Sequence, residues 1–294
     1  MLVVVQSLLG MLFIILTGYL LSSERSKINW RIVLGAFGIQ LAIGALVLYL
    51  PPGMQALEAV AGIVISVLGY AQAGIHFMFG DFASGNHGFV FALQVLPIIV
   101  FFASLIAVLY HLGIMERLVS LIGGLIQFVL GTSKAESMSA ATNIFIGQSE
   151  APIAIKPYLS SMSSSEIFAV MVGGMATVSG SVLGGYAAAG VDMRYLIAAS
   201  FMAAPAGLMM AKLIKPGASD DSSDNFDVHE EILANRSANV IDAAATGALQ
   251  GMQLAFAIGA LLLAFIGLIA LINGIIGWGG SFFGFENLTM QQIL

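Results

Sequence analysis

Long apolar segments make up most of this sequence, and they limit the chain to structures that a lipid bilayer can accommodate. Hydrophobic residues account for 59% of the 294 residues and charged residues for only 9%, whereas about a quarter of an ordinary soluble domain is charged. A helix needs about 20 apolar residues to cross the hydrocarbon core. The sequence therefore predicts an all-α integral membrane protein with several spans, at Met1–Leu21, Ile32–Leu50, Phe89–Tyr110, Ile167–Val191, Tyr195–Leu213 and Ala243–Ile276.

The charged residues indicate how these spans are oriented. The chain opens on an apolar run without a positively charged leader, so a first spanning helix is expected rather than a cleaved signal peptide. Arg25, Lys27 and Arg31 place the first loop in the cytoplasm and the N-terminus outside. The acidic stretch 216–242 is predicted to be a cytoplasmic linker. Met54–Phe79 is apolar but interrupted by polar side chains, which favours a helix lying along the membrane interface.

Two regions depart from the pattern of a simple spanning helix. Between Leu118 and Tyr158 the apolar runs are too short to cross, and the polar stretch 131–136 separates them. Two half-length segments that enter and leave by the same face, forming a re-entrant hairpin, fit this pattern better. Farther along, Gly173–Gly185 contains five glycines and three hydroxyl side chains, which predicts a helix that is broken near its centre.

Glu150 places a carboxylate in a segment predicted to lie within the membrane, where a charged group is costly. Glu150 follows Gln148 and Ser149 inside an otherwise apolar segment, with Gly147 and Pro152 on either side to interrupt a helix. An ionisable group at bilayer depth costs roughly 2.5–3.5 kcal/mol and usually faces a functional cavity. Polar groups clustered at a broken helix are typical of solute sites in secondary transporters. Pairing with other helices purely for packing is the alternative reading.

A second set of polar residues could bind a cation. Asn143 and Thr177 carry uncharged oxygen atoms, and helix interruption would free carbonyl groups near Ile146 and Val178. These hard ligands suit an alkali cation better than zinc, and the chain has no cysteine. A hydroxyl in a membrane helix can also bond to its own backbone, which leaves a structural role open for Thr177.

Other classes of function find little support in the sequence. A basic patch, the usual mark of a nucleic-acid binder, is missing, and the formal net charge is −6. The four histidines show no metalloenzyme spacing. Ser179-Gly-Ser181 offers a nucleophile, but no histidine or lysine lies at comparable depth in a neighbouring span. We therefore expect neither an enzyme nor a bound cofactor.

Several segments together resemble one family. They closely resemble the concentrative nucleoside transporters, specifically the bacterial branch, over essentially the whole chain, and the first motif is highly specific. The matching segments are Asn143-Ile-Phe-Ile-Gly-Gln-Ser-Glu-Ala-Pro152, Gly173-Gly-Met-Ala-Thr-Val-Ser-Gly-Ser-Val182, Tyr195-Leu-Ile-Ala-Ala-Ser-Phe-Met-Ala-Ala-Pro205 and Asn239-Val-Ile-Asp-Ala-Ala-Ala245.

The resemblance implies a function and a set of site residues. It implies a sodium-coupled importer of nucleosides in the bacterial inner membrane, multi-pass and homotrimeric, with proton coupling through Glu150 as an alternative. A hydroxyl at Ser149 accompanies a pyrimidine preference in this family. The residues implied for the nucleoside are Gln148, Ser149, Glu150 and Val182. Those implied for sodium are Asn143 and Thr177 through their side chains, and Ile146 and Val178 through their backbone oxygens.

One departure from the family pattern concerns the end of the sequence. Members continue into a second re-entrant hairpin with an Asn-Glu-Phe motif and a further broken helix, so one of two inverted repeats is expected here. A fragment of a longer protein and a truncated, non-transporting membrane scaffold are both open readings. The predicted divisions are 1–112 for scaffold spans with the interfacial helix, 113–215 for the transport-type region, 216–242 for the linker, and 243–294 for a scaffold span and a truncated end.

Overall fold

The chain is all-helical in a computed structural model that describes residues 2–83, 88–145, 162–178, 180–217, 237–281 and 289–293. Short 3-10 turns at Arg25–Lys27 and Gly80–Ala83 supplement the α-helices. The α-helices are α1 (Leu2–Leu20), α2 (Trp30–Tyr49), α3 (Pro51–Phe79), α4 (Phe91–Gln94), α5 (Leu96–His111), α6 (Ile114–Leu130), α7 (Lys134–Phe145), α8 (Ser164–Ala176), α9 (Gly180–Ala188), α10 (Met193–Ile214), α11 (Val240–Ser281) and α12 (Met290–Ile293).

Several of these helices are suited to a bilayer, as the composition predicts. Among the described residues, five segments are long and apolar enough to cross a membrane. They coincide with or contain most of the predicted spans, and all except Met193–Ile214 are largely uncovered by other parts of the chain. The five segments are Trp30–Val47, Pro51–Ala83, Phe91–His111, Met193–Ile214 and Val240–Ser281. The prediction of an all-helical membrane protein with several apolar spans is confirmed.

The segment predicted to lie at the interface is one continuous helix. Leu50 separates α2 from α3 with an extended backbone (φ −94°, ψ 125°), the conformation that a following proline favours. Pro51 then begins α3, where a missing backbone N–H costs nothing. The 29 residues of α3 are enough to cross the bilayer, so its length does not distinguish a spanning helix from an interfacial one. Its placement along the interface remains a prediction.

Helix α10 occupies the centre of the fold and positions the elements around it. It packs against α2, α3, α7 and α8. Apolar residues from five helices meet in the main core, where Val33, Val119, Ala140, Ala169 and Leu208 are buried. Since α7 and α8 both lie against α10, one helix sets the position of both.

Helices α5 and α11 approach each other closely because the contact consists of small residues. A β-carbon on Gly247 would lie 2.5 Å from Cβ of Ala107, and one on Gly251 would lie 2.7 Å from Cβ of Ala103. Ser104 Oγ donates a hydrogen bond to the Ala244 carbonyl at 2.9 Å. Membrane helices associate through close packing of small residues, because the hydrophobic effect does not favour contacts between helices over contacts with lipid.

The helix boundaries around α7 correct the sequence-based expectation. The sequence suggests that 131–136 is a polar connection, but the connection is shorter, since α7 already begins at Lys134. Gly131 ends α6 with a left-handed backbone (φ 67°), which glycine adopts without strain. The Ser133 backbone N–H then donates to Glu136 Oε2 at 3.2 Å, and the Glu136 N–H donates to Ser133 Oγ at 3.3 Å. This reciprocal capping box initiates the helix.

Candidate solute-transport site

The glycine-rich stretch contains two helices separated by an interruption. Helix α8 ends at Ala176, and Thr177 has an extended backbone (φ −111°, ψ 158°). Helix α9 begins at Gly180. Thr177 Oγ1 donates a hydrogen bond to the Gly173 carbonyl at 2.9 Å. The last carbonyl groups of a helix have no partner within it, so this interruption presents oxygen atoms at the end of α8.

Asn143 lies against Gly173 in the last turn of α8. The residue is 0% exposed, and neither amide atom has a hydrogen-bond partner within the part of the chain that the structure describes. A β-carbon on Gly173 would lie 3.3 Å from Asn143 Nδ2, so glycine makes room for the amide here. An unpaired buried amide costs roughly 1–3 kcal/mol, and a ligand would remove that cost.

The end of α7 and the start of α9 touch through their backbones. A β-carbon on Gly180 would lie only 2.0 Å from the Phe145 carbonyl oxygen, a distance that no side chain could occupy. Gly173 contacts both Asn143 and Thr177. The structure therefore places Asn143 beside the turn of α8 to which the Thr177 hydroxyl bonds. Val178 follows directly, with its side chain partly exposed.

The remaining predicted residues divide into two groups. Val182 lies in the first turn of α9 and is half-buried, a few residues beyond the interruption. Ile146, Gln148, Ser149 and Glu150 lie outside the described residues. Their roles remain predictions, as does the packing of Val182 beside a nucleobase.

The chemistry of this site suits a small cation. The amide oxygen of Asn143 and the hydroxyl oxygen of Thr177 are hard, uncharged ligands of the kind that alkali cations accept. The C-terminal end of α8 adds the partial negative charge of the helix dipole. Because Thr177 uses its proton to bond Gly173, the lone pairs of its oxygen remain available. The residues present thus fit a sodium ion.

A buried ion pair near the site was missed by the sequence analysis. Lys212 lies in the last turn of α10. Its Nζ is 2.5 Å from Glu136 Oε1, and the two side chains are only 2% and 0% exposed. The Ser133–Glu136 spacing of a capping box is the signal that could have placed Glu136 on a helix.

At the opposite end of α10, the charged groups remain exposed. Asp192 caps the helix by accepting from the Arg194 N–H at 2.9 Å. Arg194 also reaches Glu58 on α3, with 3.1 Å between Nη1 and Oε1 and side chains 45% and 53% exposed. Hydrogen bonds from the Arg194 side chain lower the pKa of Asp192 below its ordinary value. This exposed pair joins α3 to α10 and contrasts with the buried one.

Apolar spans arranged around an interrupted helix are typical of helical membrane transporters. Three family models match successive parts of the chain: "Na+ dependent nucleoside transporter N-terminus" over residues 9–82, "Nucleoside recognition" over 92–193, and "Na+ dependent nucleoside transporter C-terminus" over 195–294. The chain belongs to the concentrative, Na+-dependent nucleoside transporter family. It is a transporter-family protein and not an enzyme.

Similar proteins and structures agree with this assignment. The chain is 50% identical over 294 residues to the nucleoside permease NupC of Helicobacter pylori, covering 98% of this chain and 69% of that protein. It is 39% identical to the human sodium/nucleoside cotransporter 1, covering 92% of this chain and 41% of that protein. A structure of CNTnw in an inward-facing substrate-bound state matches with a TM-score of 0.91 and 53% identity, over 99% of this chain and 70% of that one.

Proposed function

We propose that this protein imports nucleosides across the bacterial inner membrane and that sodium drives the transport. The observation that carries the proposal is the buried amide of Asn143, which has no hydrogen-bond partner among the described residues and lies beside the last turn of α8. Such an amide is costly unless a ligand completes it. The names of the similar proteins, a nucleoside permease and a sodium/nucleoside cotransporter, supply the two transported species.

The arrangement of the two segments explains how sodium and nucleoside binding would be coupled. We assign α7 to the re-entrant hairpin predicted between Leu118 and Tyr158, and α8–α9 to the broken helix. Asn143 and Thr177 would bind sodium, together with backbone oxygens of Ile146 and Val178. The nucleoside would contact Gln148, Ser149, Glu150 and Val182, which follow these ligands on the same two segments. An ion that orders both segments prepares the nucleoside site, which is a coupling through shared structure.

Transport by alternating access would follow from this division of the fold. The region 113–215 carries both sets of ligands and would move against the scaffold spans that precede and follow it. The scaffold, with the closely packed helices α5 and α11, would form the stationary part and the contacts of a homotrimer. Trimers that show no sodium-dependent uptake in the full-length gene product would favour the alternative of a non-transporting scaffold.

Sodium replacement tests the proposed function directly. Uptake of radiolabelled uridine by the full-length gene product is expected to stop when choline replaces sodium. Asn143→Ala is expected to raise the sodium concentration for half-maximal uptake at least about tenfold, within the usual range of coupling between sites. Ser139→Ala is the matched control, because Ser139 is also buried on α7 and its hydroxyl has no partner among the described residues. Uptake that persists in choline would contradict sodium coupling and favour protons carried by Glu150.

Glu150 provides a second test, on the nucleoside side of the site. Glu150→Gln keeps the size of the side chain but removes its charge. Uridine uptake is expected to fall below detection, because buried groups that bind a polar ligand are left unpaired when one partner changes. Binding of uridine by purified protein, measured by calorimetry, separates lost affinity from lost movement. Wild-type binding and uptake in Glu150→Gln would remove Glu150 from the site.

Ser149 is proposed to favour pyrimidine nucleosides. Its hydroxyl can hydrogen-bond the edge of a base, and a site built around such a bond discriminates strongly between ligands. Ser149→Gly is expected to raise the ratio of adenosine to uridine uptake. Competition between the two nucleosides at fixed sodium concentration measures this ratio. An unchanged ratio would remove Ser149 as the source of the preference.

A further inference from the structure

The buried pair of Glu136 and Lys212 joins two helices inside the fold. Lys212 Nζ and Glu136 Oε1 are 2.5 Å apart, and both side chains are almost fully covered. Burying two charges is costly, and a pair of this kind adds little stability compared with apolar residues of the same size. We therefore consider how the ion pair fixes the relative positions of the two helices, rather than its contribution to stability.

Hydrogen bonds extend this pair to a third helix. Lys212 Nζ lies 3.4 Å from Ser165 Oγ on α8, and Ser165 Oγ donates to the Lys215 carbonyl at 2.7 Å. Ser133 and Glu136 bond reciprocally at the start of α7. We call these five residues, Ser133, Glu136, Ser165, Lys212 and Lys215, the polar clamp. The polar clamp fixes the first turns of α7 and α8 to the last turn of α10.

The cation site lies at the other end of the same two helices. Asn143 is two turns beyond Glu136 on α7, about 10 Å along the axis, and Gly173 is a similar distance beyond Ser165 on α8. Both helices therefore run in the same direction from the polar clamp to the Asn143–Gly173 contact. A helix of this length transmits an axial shift along its backbone. A change of register at the polar clamp would consequently displace Asn143 from the end of α8.

We propose that Glu136 and Lys212 are positioning residues for the cation site. Their ion pair holds α7 and α8 in the register that keeps the Asn143 amide against Gly173. Neither side chain contacts the ion. This inference rests on the proposed sodium coupling, and it adds a determinant of sodium affinity that lies outside the ligand set.

The test compares sodium and nucleoside dependence in one set of variants of the full-length gene product. Glu136→Gln preserves the capping bond to Ser133 and removes the charge that pairs with Lys212. It is expected to raise the sodium concentration for half-maximal uridine uptake at least about fivefold. At saturating sodium, the uridine concentration for half-maximal uptake should change less than about twofold. Lys212→Arg retains the charge and is expected to stay near the wild-type sodium dependence.

Glu166→Gln is the matched control for losing a buried carboxylate. Glu166 is also buried and forms the capping box of α8 with Ser163, and in the described part of the chain no lysine or arginine forms an ion pair with it. The sodium concentration for half-maximal uptake by Glu166→Gln should remain at the wild-type value. An unchanged sodium dependence in Glu136→Gln, or an equal rise in Glu166→Gln, would overturn the proposal.

Two further measurements keep these results interpretable. Wild-type uptake is first measured in choline, since uptake that ignores sodium refutes the proposed coupling rather than the positioning role. Thermal unfolding of each purified variant at increasing sodium gives sodium affinity without transport. If Glu136→Gln does not accumulate, Glu136→Gln/Lys212→Met removes both charges and should show the same weakened sodium dependence. A wild-type sodium response in that variant would also overturn the proposal.

Discussion

Replacing Gly180 with alanine is expected to reduce sodium-dependent uridine uptake about a hundredfold, the scale of loss that a displacement of about 1 Å causes at a functional site. The added β-carbon would lie 2.0 Å from the Phe145 carbonyl oxygen. This neighbour is backbone and cannot rotate away, so α7 and α9 must separate. The separation would move Asn143 away from Gly173 in the last turn of α8. Uptake against sodium concentration, normalised to the amount of folded protein, measures the effect.

The control for Gly180 is another glycine in a helix with open space around it. Gly124 on α6 has no atom within 4 Å of an added β-carbon, and Gly124→Ala should leave uptake unchanged. Alanine favours a helix over glycine by roughly 0.5–1 kcal/mol, so this variant should be at least as stable as the wild type. Normal uptake by Gly180→Ala would mean that the close approach of α7 and α9 is not required.

Replacing Lys212 with methionine is expected to lower the free energy of unfolding by about 3–5 kcal/mol, because Glu136 would remain buried without its counter-charge. Adding Glu136→Gln should recover much of this loss, since the double variant buries no unpaired charge. Both variants can be compared by thermal unfolding in detergent, followed by the fluorescence of the tryptophans.

The exposed pair of Glu58 and Arg194 calibrates this measurement. Its side chains are about half exposed, and exposed pairs contribute about 0–1 kcal/mol. Glu58→Gln should therefore shift unfolding only slightly. A loss in Lys212→Met as small as that in Glu58→Gln would show that water reaches Glu136 and stabilises its charge.

The spans were predictable because apolar length is a local property of the sequence. Trp30–Tyr49 and Met193–Ile214 lie within a few residues of the predicted spans. The start of α7 was predicted less well, since the apolar run begins after Ser139 while the helix begins at Lys134. There a capping bond determines the boundary, and the hydrophobicity pattern does not indicate it. The signal in the sequence is the spacing of Ser133 and Glu136, which is that of a capping box.

The candidate site shows the same distinction between local and distant information. The types of residue at Asn143 and Thr177 suggested a cation site, and both residues contact Gly173 in the structure. The pair of Glu136 and Lys212 could not be inferred in this way. Glu136 and Lys212 lie on different helices, and no local sequence pattern links them. Packing between distant segments brings them together.

Helix α11 has a consequence for the membrane around the protein. Its 42 residues extend about 63 Å, roughly twice the thickness of the hydrocarbon core. Such a helix must lie obliquely or extend beyond the bilayer, and α5 must follow it because their backbones are in close contact through Gly247 and Gly251. A helix longer than the hydrocarbon core is accommodated by tilting or by local thickening of the bilayer. The lipids around α5 and α11 would therefore meet this mismatch along two helices together.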